Sequence, residues 1–339
     1  MGLKQCAIIL AAGKGTRMKS ARAKVLHEVF FSPMLHHVID SVNGCEIQKV
    51  IVVTGYKRES VESSLSGYKV DTVVQKEQLG TGHAVLSCRE ELDDFSGTAL
   101  ILCGDTPLIR PQTLKAMLEF HGKTQTVLSV MTTVLDNPQN YGRIVSDKSG
   151  NLVGIVEEKD ADEKTKKIKE INAGIYCVDL DFLWSALEMV GTDNKQGEMY
   201  LTDIVSIATS QGKRVTRYIC EDPDEVLGVN SRMELAKAHQ TLINRRNEWL
   251  MASGVTLLRP ESICIEKNVI IGKDTIIGQS VLLQGETTIG SDCIVEQSVM
   301  LNNCKVGEGV IIGAFSNLEG VEIKSFEKVS PLTSRKQDN

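Results

Sequence analysis

Short apolar runs alternate with stretches of helical spacing over the first 125 residues. The apolar runs, which predict buried strands, lie at residues 6–12, 50–54, 70–74 and 99–102. The stretches between them predict helices at 34–42, 59–65 and 83–92. Ser32 is the expected cap of the first helix, with Pro33 in its first turn. This alternation is typical of an α/β domain whose mostly parallel sheet is covered on both faces and binds ligands at the carboxyl ends of its strands.

The pattern becomes mixed after residue 126 and helical after residue 231. Strands are predicted at 127–132, 142–145, 152–156 and 171–178. Because polar turns separate them, we interpret this region as an insertion that walls one side of the binding site. A single helix is predicted from 231 to 253, with Gly254 as its expected end.

A period of six residues begins after Gly254. Apolar side chains recur at that spacing at Ile265, Ile271, Ile277, Leu283, Ile289, Val295 and Leu301. The phase slips by one residue at Val306 and then resumes at Ile312 and Leu318. Such a period predicts hexapeptide repeats, in which three short strands form each coil of a parallel β-helix of about four coils; an ordinary β-sandwich is the alternative.

These periods divide the chain into four predicted parts. Residues 1–230 form a Rossmann-like α/β domain with a mixed, mostly parallel sheet, and residues 231–254 form a linker helix. Residues 255–325 form the short β-helix. Residues 326–339 are predicted to be a polar tail, disordered from residue 330.

Composition narrows the class of protein further. The 339 residues carry a formal net charge of −6 and no block of five basic residues, so no nucleic-acid partner is expected. No apolar run approaches the ~18 residues of a membrane span, and the run at 6–12 is too short for a signal-peptide core. Nine cysteines without a C-x-x-C pair predict reduced, buried thiols in a cytoplasmic protein.

The strongest local motif is a glycine loop directly after the first strand. It reads LAAGKGTR over residues 10–17, and its small residues let the backbone approach a phosphate. Met18 stands where the dinucleotide fingerprint needs a glycine, and Gly13 and Gly15 are too close for a Walker A motif. Such a loop alone fits a plain turn equally well. Arg17 and Lys24, however, suit the phosphates of a nucleoside triphosphate.

Ordered motifs along the chain make a family resemblance specific. After residues 10–18 and 24–27 they are QKEQLGTGH (75–83), GDTPL (104–108), YGR (141–143), GIVE (154–157), EINAG (170–174) and GVN (228–230). Together they resemble the bacterial bifunctional N-acetylglucosamine-1-phosphate uridylyltransferase/glucosamine-1-phosphate acetyltransferase family. The resemblance covers residues 5–254 and continues into that family's left-handed β-helix.

The resemblance implies a Mg²⁺-dependent nucleotidyltransferase. Its expected substrates are UTP and N-acetylglucosamine 1-phosphate, and its product serves the synthesis of peptidoglycan and lipopolysaccharide precursors in the cytoplasm. The expected assembly is a homotrimer. A metal held by one carboxylate and one amide is consistent with Mg²⁺, which takes its other ligands from phosphates and water.

Matching positions also carry implied roles. Arg17, Lys24 and Asp105 would be catalytic, and Asp105 and Asn230 would hold the metal. The implied substrate-binding residues are Leu10, Ala11, Ala12, Gly13, Lys24, Gln75, Gly80, Thr81, Cys103, Gly104, Asp105, Gly142, Glu157, Asn172 and Asn230. Gln75 and the turn 78–81 resemble the uracil pocket, where the Gln75 amide would offer both a donor and an acceptor and Gly80 would let the backbone approach the ring. Gly142, Glu157 and Asn172 would hold the sugar.

We expect direct in-line attack of a sugar-phosphate oxygen on the α-phosphorus of UTP. This nucleophile is already ionised at neutral pH, so no general base is needed. Glucose 1-phosphate or dTTP as substrate, and a silent homologue on the same fold, are alternatives. Acetyl transfer is not expected, because the chain ends before the family's later coils and no histidine follows His239 to serve as base.

Overall fold

The computed structural model describes residues 4–336, in two compact units that meet between Glu234 and Leu235. The strands of the first unit are β1 (Gln5–Leu10), β2 (Glu28–Val29), β3 (Ser32–Pro33), β4 (Lys49–Thr54), β5 (Asp71–Val74), β6 (Thr98–Cys103), β7 (Leu128–Val134), β8 (Arg143–Ser146), β9 (Leu152–Val156), β10 (Glu170–Asp179) and β11 (Val215–Ile219). Its helices are α1 (Met34–Asn43), α2 (Arg58–Ser64), α3 (Thr81–Leu86), α4 (Pro111–Thr124), α5 (Leu180–Leu187) and α6 (Asp203–Ser210). Helix α7 (Arg232–Ala252) begins in this unit and continues into the second.

One mixed sheet forms the centre of the first unit. Seven strands follow the order β11-β7-β10-β6-β1-β4-β5, and β8 and β9 form a ribbon attached to β10. Strand β1 pairs in parallel with β4 and β6, whereas β10 is antiparallel to β6 and β7. Both Ile8 and Ile9 are fully buried, although they point to opposite faces and join different core clusters. The mostly parallel sheet covered on both faces is therefore confirmed.

The prediction that residues after 126 form an insertion beside the site is wrong for most of the strands in that region. Strands β7, β10 and β11 lie in the central sheet, and only the β8–β9 ribbon leaves it. The apolar side chains of β7 explain this position, because Val130 packs in one core and Met131 in the other. A strand that is buried on both faces belongs inside a sheet.

Two helix predictions also differ from the structure. Ser32 lies in the two-residue strand β3, and α1 starts without a side-chain cap. The helix predicted at 83–92 is instead α3, followed by a separate 3₁₀ turn at Glu90–Leu92. Apolar spacing does not distinguish one helix from a helix and a turn that bury the same face.

The second unit continues α7 into a parallel β-helix. Its strands are β12 (Thr256–Leu257), β13 (Cys264–Ile265), β14 (Ile270–Ile271), β15 (Ile276–Ile277), β16 (Leu282–Gln284), β17 (Thr288–Ile289), β18 (Ile294–Val295), β19 (Met300–Asn302), β20 (Lys305–Val306), β21 (Ile311–Ile312), β22 (Asn317–Glu319), β23 (Glu322–Ile323), β24 (Lys328–Val329) and β25 (Ser334–Lys336). They stack in parallel into two faces of five strands and one of four. The prediction of a short left-handed β-helix is confirmed.

The repeat positions lie where the period of six predicts. The side chains of Ile265, Ile277, Leu283, Ile289, Val295 and Leu301 are buried, and Ile271 is half-buried. Pairing explains the slip at Val306, because Leu282 pairs with Met300, 18 residues later, whereas Met300 pairs with Asn317, 17 residues later. One residue is lost at a corner, so the inward and outward faces keep their register.

The β-helix extends into the predicted polar tail. Strands β24 and β25 occupy residues predicted to lie outside it, and Val329 is buried in the same core as the other repeat positions. The prediction of a disordered tail is therefore wrong up to residue 336. Its final three residues lie outside the described part of the chain. The prediction failed because only one apolar side chain in this segment points inward.

The helices and cysteines of the described residues bear on two predictions, the absence of a membrane span and the state of the thiols. No helix between residues 4 and 336 combines the length and apolar character that crossing a membrane requires. All nine cysteines are free thiols, most of them buried. The prediction of buried thiols is confirmed for seven of them, whereas Cys103 and Cys264 are partly exposed.

Candidate active site

A cavity of about 500 Å³ opens at the carboxyl ends of β1 and β6. Ten predicted binding residues line it: Leu10, Ala11, Ala12, Gly13, Lys24, Gln75, Gly80, Thr81, Cys103 and Asp105. Gln78, from the turn predicted to form the uracil pocket, also lines it, together with four residues that were not predicted: Lys14, Val25, Ala84 and Glu198. The strand ends of an α/β sheet are the usual position of a ligand site.

Two glycines allow the cavity floor to form. Gly104 is buried behind the floor, where its amide donates to the Leu10 carbonyl at 2.9 Å and a Cβ would lie 3.0 Å from Leu35. Gly15 has a φ of +60°, and a Cβ there would lie 2.5 Å from the Cβ of Lys24. The stem of Lys24 therefore rests directly against the glycine loop, an approach that a side chain at position 15 would block.

Four polar side chains from distant parts of the chain meet at one edge of this cavity. The ammonium of Lys24 forms an ion pair with Asp105 and lies 3.0 Å from the Asn230 Oδ1 atom. The Arg17 guanidinium donates to the same oxygen at 2.9 Å. The Asn230 amide nitrogen donates to the Gly228 carbonyl at 3.0 Å, which turns its oxygen toward the two cations. The structure thus brings together the three predicted catalytic residues and the second predicted metal ligand.

Asp105 and Asn230 form a sparse donor set for a metal ion. Between residues 4 and 336 no group of three or more His, Cys, Asp or Glu side chains could enclose one. One carboxylate and one amide oxygen fit a hard divalent cation that takes its remaining ligands from phosphates and water. The ammonium group of Lys24 at these two oxygens shows that the position accepts positive charge.

A second cluster contains the three residues predicted to hold the sugar. The backbone N–H of Asn172 donates to the Gly142 carbonyl at 2.9 Å. A Cβ on Gly142 would lie 3.4 Å from the carboxylate of Glu157. Asn172 also accepts from the Gly174 amide at 3.0 Å, and a Cβ on Gly174 would lie 3.6 Å from the Cys103 sulfur. The cluster therefore adjoins the cavity at Cys103.

Burial sets the electrostatics of this cluster. Burial is the main cause that raises the pKa of Glu157, and the Thr202 hydroxyl, which donates to it at 3.3 Å, partly offsets that rise. The Tyr176 hydroxyl accepts from the Asn172 side-chain nitrogen at 2.7 Å. Burial, with Asp105 nearby, raises the pKa of Cys103 to about 12, so its thiol stays protonated and is a packing group rather than a nucleophile.

Gln75 differs from its predicted role in one respect. Its amide nitrogen bonds to the Gly80 carbonyl at 3.0 Å and to the His83 ring at 3.2 Å, which uses both of its donors. Gln75 therefore shapes the turn before α3. Its carbonyl oxygen is the group left to meet a base, whereas we expected both a donor and an acceptor.

Arg143 is a buried charge that the sequence analysis did not single out. It is 1% exposed, pairs with Glu158 at 2.7 Å and donates to the carbonyls of Tyr141 and Lys166. It thereby ties the strand beside Gly142 to the segment that follows Glu157. The YGR motif was a signal for it, but a sequence does not show that an arginine is buried.

Comparisons with known proteins identify the family of the chain. The sequence model of the nucleotidyl transferase family matches residues 6–236. A bifunctional GlmU protein of Desulfotalea psychrophila is 48% identical over 331 residues, which make up 98% of this chain and 97% of that protein. The GlmU proteins of Heliobacterium modesticaldum and Listeria monocytogenes are each 45% identical, over 91% and 93% of this chain and 67% and 69% of their own lengths. The chain therefore belongs to the GlmU family of nucleotidyltransferases.

Proposed function

We propose that the chain catalyses the Mg²⁺-dependent reaction of UTP with N-acetylglucosamine 1-phosphate, which yields UDP-N-acetylglucosamine and pyrophosphate. The observation that supports this most directly is the meeting of Arg17, Lys24, Asp105 and Asn230 at the edge of the glycine-floored cavity. Membership of the GlmU family supports a nucleotide and a sugar phosphate as substrates.

The side chains of the site suit charge neutralisation rather than proton transfer. Arg17 and Lys24 bind the triphosphate, and the amides of the glycine loop approach it closely. Asp105 and Asn230 would hold Mg²⁺, which when bound supplies positive charge to the phosphate oxygens. A sugar-phosphate oxygen forms the new bond to the α-phosphorus as the bond to pyrophosphate breaks. No side chain needs to take a proton, because the nucleophile is already ionised.

The second cluster provides the selection for the sugar. Glu157 accepts hydrogen bonds from sugar hydroxyls, Asn172 lies near the N-acetyl group, and Gly142 leaves space and offers its backbone. Glucose 1-phosphate lacks the N-acetyl group, so the second donor and the second lone pair of the buried Asn172 amide would stay unpaired. We therefore expect strong discrimination against it.

Pyrophosphate release across four substrate pairs tests the proposal. UTP and dTTP are each combined with N-acetylglucosamine 1-phosphate and with glucose 1-phosphate, with Mg²⁺ and with EDTA. We expect release that depends on Mg²⁺ and is fastest with UTP and the N-acetylated sugar. Faster release with another pair would identify a related substrate instead, and no release with any pair would indicate a silent homologue.

We also propose that these 339 residues lack acetyltransferase activity, although the relatives carry the name bifunctional. The last histidine of the sequence is His239, so no imidazole of the β-helix could act as base for acetyl transfer. Incubation with acetyl-CoA and glucosamine 1-phosphate should release no free thiol. Release above the protein-free rate would contradict this part of the proposal.

We further propose that the chain forms a homotrimer through the β-helix and that it works in the cytoplasm. Large apolar side chains on the outside of the β-helix support self-association: Leu258, Ile270, Ile294, Met300, Phe315, Phe326 and Leu332 are all exposed.

A further inference from the structure

Lys24 lies at the two oxygen atoms that the proposed function assigns to a metal ion. Its ammonium is paired with the Asp105 carboxylate and lies 3.0 Å from the Asn230 oxygen. The side chains of Lys24 and Asp105 are only 16% and 14% exposed, so water screens this pair weakly. Lys24 is thus both a proposed phosphate ligand and the present partner of the proposed metal ligands.

The Asn230 oxygen is fully used in this arrangement. An amide oxygen has two lone pairs, and here one faces Lys24 and the other faces Arg17. A metal ion at this oxygen must displace at least one of these donors. It must also approach Asp105 against the charge of the lysine.

We propose that Lys24 holds the metal position in the nucleotide-free chain and that the triphosphate releases it. When phosphates bind at the glycine loop, they draw Lys24 and Arg17 away from Asp105 and Asn230, which exposes both oxygens to the metal. This inference rests on the proposed function, because it uses the same two ligands. Nucleotide and metal then bind cooperatively, and linkage requires that each strengthens the other equally.

The glycine loop makes this exchange possible without movement of the backbone. A Cβ on Gly15 would lie within 3.0 Å of the Cβ, Cγ and Cδ atoms of Lys24, so the stem of the lysine rests against the loop that receives the phosphates. The flexible end of the side chain can therefore turn from Asp105 to a phosphate on the loop.

Binding of Mn²⁺ to the nucleotide-free protein, followed by electron paramagnetic resonance of the free ion, tests the inference without turnover. Replacement Lys24→Met keeps the length of the side chain and removes its charge. We expect it to strengthen Mn²⁺ binding about tenfold or more, within the usual range of such couplings. Lys24→Gln is the second variant if the first does not fold, as judged by circular dichroism.

Two controls separate this effect from a general loss of positive charge. Lys14 lines the same cavity, so Lys14→Met removes an equal charge, and we expect less than about a threefold change. Adding Asp105→Asn to Lys24→Met should abolish the gain. Equal effects of the two lysine variants, or a gain that survives Asp105→Asn, would overturn the inference. Metal-dependent turnover of the wild-type protein in that case would leave the proposed function standing.

Discussion

Asn230 lies more than 200 positions from the glycine loop, yet its amide oxygen accepts from both Arg17 and Lys24. Its nitrogen is anchored to the Gly228 carbonyl, so the side chain presents an acceptor of fixed orientation. This acceptor holds two cationic side chains here, and it is the oxygen that we propose as a metal ligand when substrate is bound. The positive charges of Arg17 and Lys24 are therefore held by one oxygen atom of the site, and the net charge of the chain has no part in this.

Replacing Asp105 tests the centre of this arrangement. Asp105→Asn keeps the shape of the side chain but removes the carboxylate that pairs with Lys24, so the proposed metal ion loses its charged ligand. We expect pyrophosphate release to fall by about two to three orders of magnitude, with the circular dichroism spectrum unchanged. The exposed Asp94→Asn is a matched control and should keep wild-type turnover. Near-normal turnover of Asp105→Asn would contradict the assigned role.

Glu157 offers a test in which stability and binding move in opposite directions. Burial raises its pKa above the ordinary value of 4.5, so its ionised form destabilises the folded state at neutral pH. The contribution of this group to stability is fully present below pH 4.5 and is lost as pH rises through the raised folded-state pKa. We therefore expect Glu157→Gln to be more stable than wild type at pH 8.

The comparison is made by urea unfolding at pH 8 and pH 5. The stability gain of Glu157→Gln should shrink as pH falls toward the ordinary pKa of a glutamate. The same variant should raise the KM for the sugar phosphate, because the carboxylate no longer accepts from its hydroxyls. A gain that is equal at both pH values would show that ionisation of Glu157 is not its source.

Site residues that belong to a sequence motif could be predicted. Residues that reach the site only through contacts of the folded chain could not. The loop, Lys24 and Asp105 stand in motifs, and the structure brings them into one cavity. Thr202 could not be found, because it reaches Glu157 from 45 positions away with no spacing rule between them. A buried hydrogen bond of this kind is a property of the folded chain.

At the scale of elements, the sequence pattern predicts the repeated strands of the β-helix but not which strands pair in the central sheet. The period of six specified the β-helix because every coil repeats one inward position, and a one-residue loss at a corner leaves that position inward. Strand β10 could not be placed in the same way. Its antiparallel pairing between β6 and β7 depends on partners that are distant in sequence.

Strand β22 provides a matched pair of neighbours for the β-helix core. Leu318 points inward and is 1% exposed, whereas the adjacent Asn317 is exposed. We expect Leu318→Ala to reduce the free energy of unfolding by about 2–5 kcal/mol, because it leaves a cavity in a closely packed core. Asn317→Ala should change it by less than about 0.5 kcal/mol. Chemical denaturation of both variants measures the difference, and similar losses would show that the two positions do not differ in packing.

Arg143 links the β8–β9 ribbon to the segment that follows Glu157. The buried guanidinium makes an ion pair with Glu158 and donates to two carbonyls, so its loss would free the segment that carries Glu157. We expect Arg143→Lys to raise the KM for the sugar phosphate about tenfold while the KM for UTP stays within about twofold, since lysine cannot reproduce the fork of donors. Steady-state kinetics in each substrate separate the two effects. Equal rises in both KM values would argue for a general structural defect, as would a fall in kcat alone.

At the scale of the whole molecule, two units with different internal periods share one continuous helix. Helix α7 runs across the boundary between Glu234 and Leu235, and it lies within the segment 231–254 that the sequence predicted to be a linker helix. The change of period marked the second unit clearly. The inner boundary could not be read from sequence, because a continuous helix carries no break in its own spacing.

Self-association provides the prediction at this scale. One chain has a mass of 37.2 kDa, so the proposed homotrimer should give about 112 kDa by light scattering after gel filtration. Replacement of the exposed Ile294 by Asp, on the outer surface of β18, should lower this mass toward one chain if that face is the interface. The exposed Glu322→Asp on another face is the control, and a wild-type mass of one chain would exclude the trimer.

The repeated pairing of the β-helix has a consequence for how proteins of this kind change length. Each coil meets the one before it and the one after it through apolar side chains at equivalent inward positions and through the same kind of backbone ladder. A duplicated coil would therefore find compatible neighbours on both sides at once, and a deleted coil would leave matching surfaces behind. Growth and shortening by whole turns of the coil are thus open to evolution through single tandem duplications or deletions, with no accompanying change in the packing of the interior.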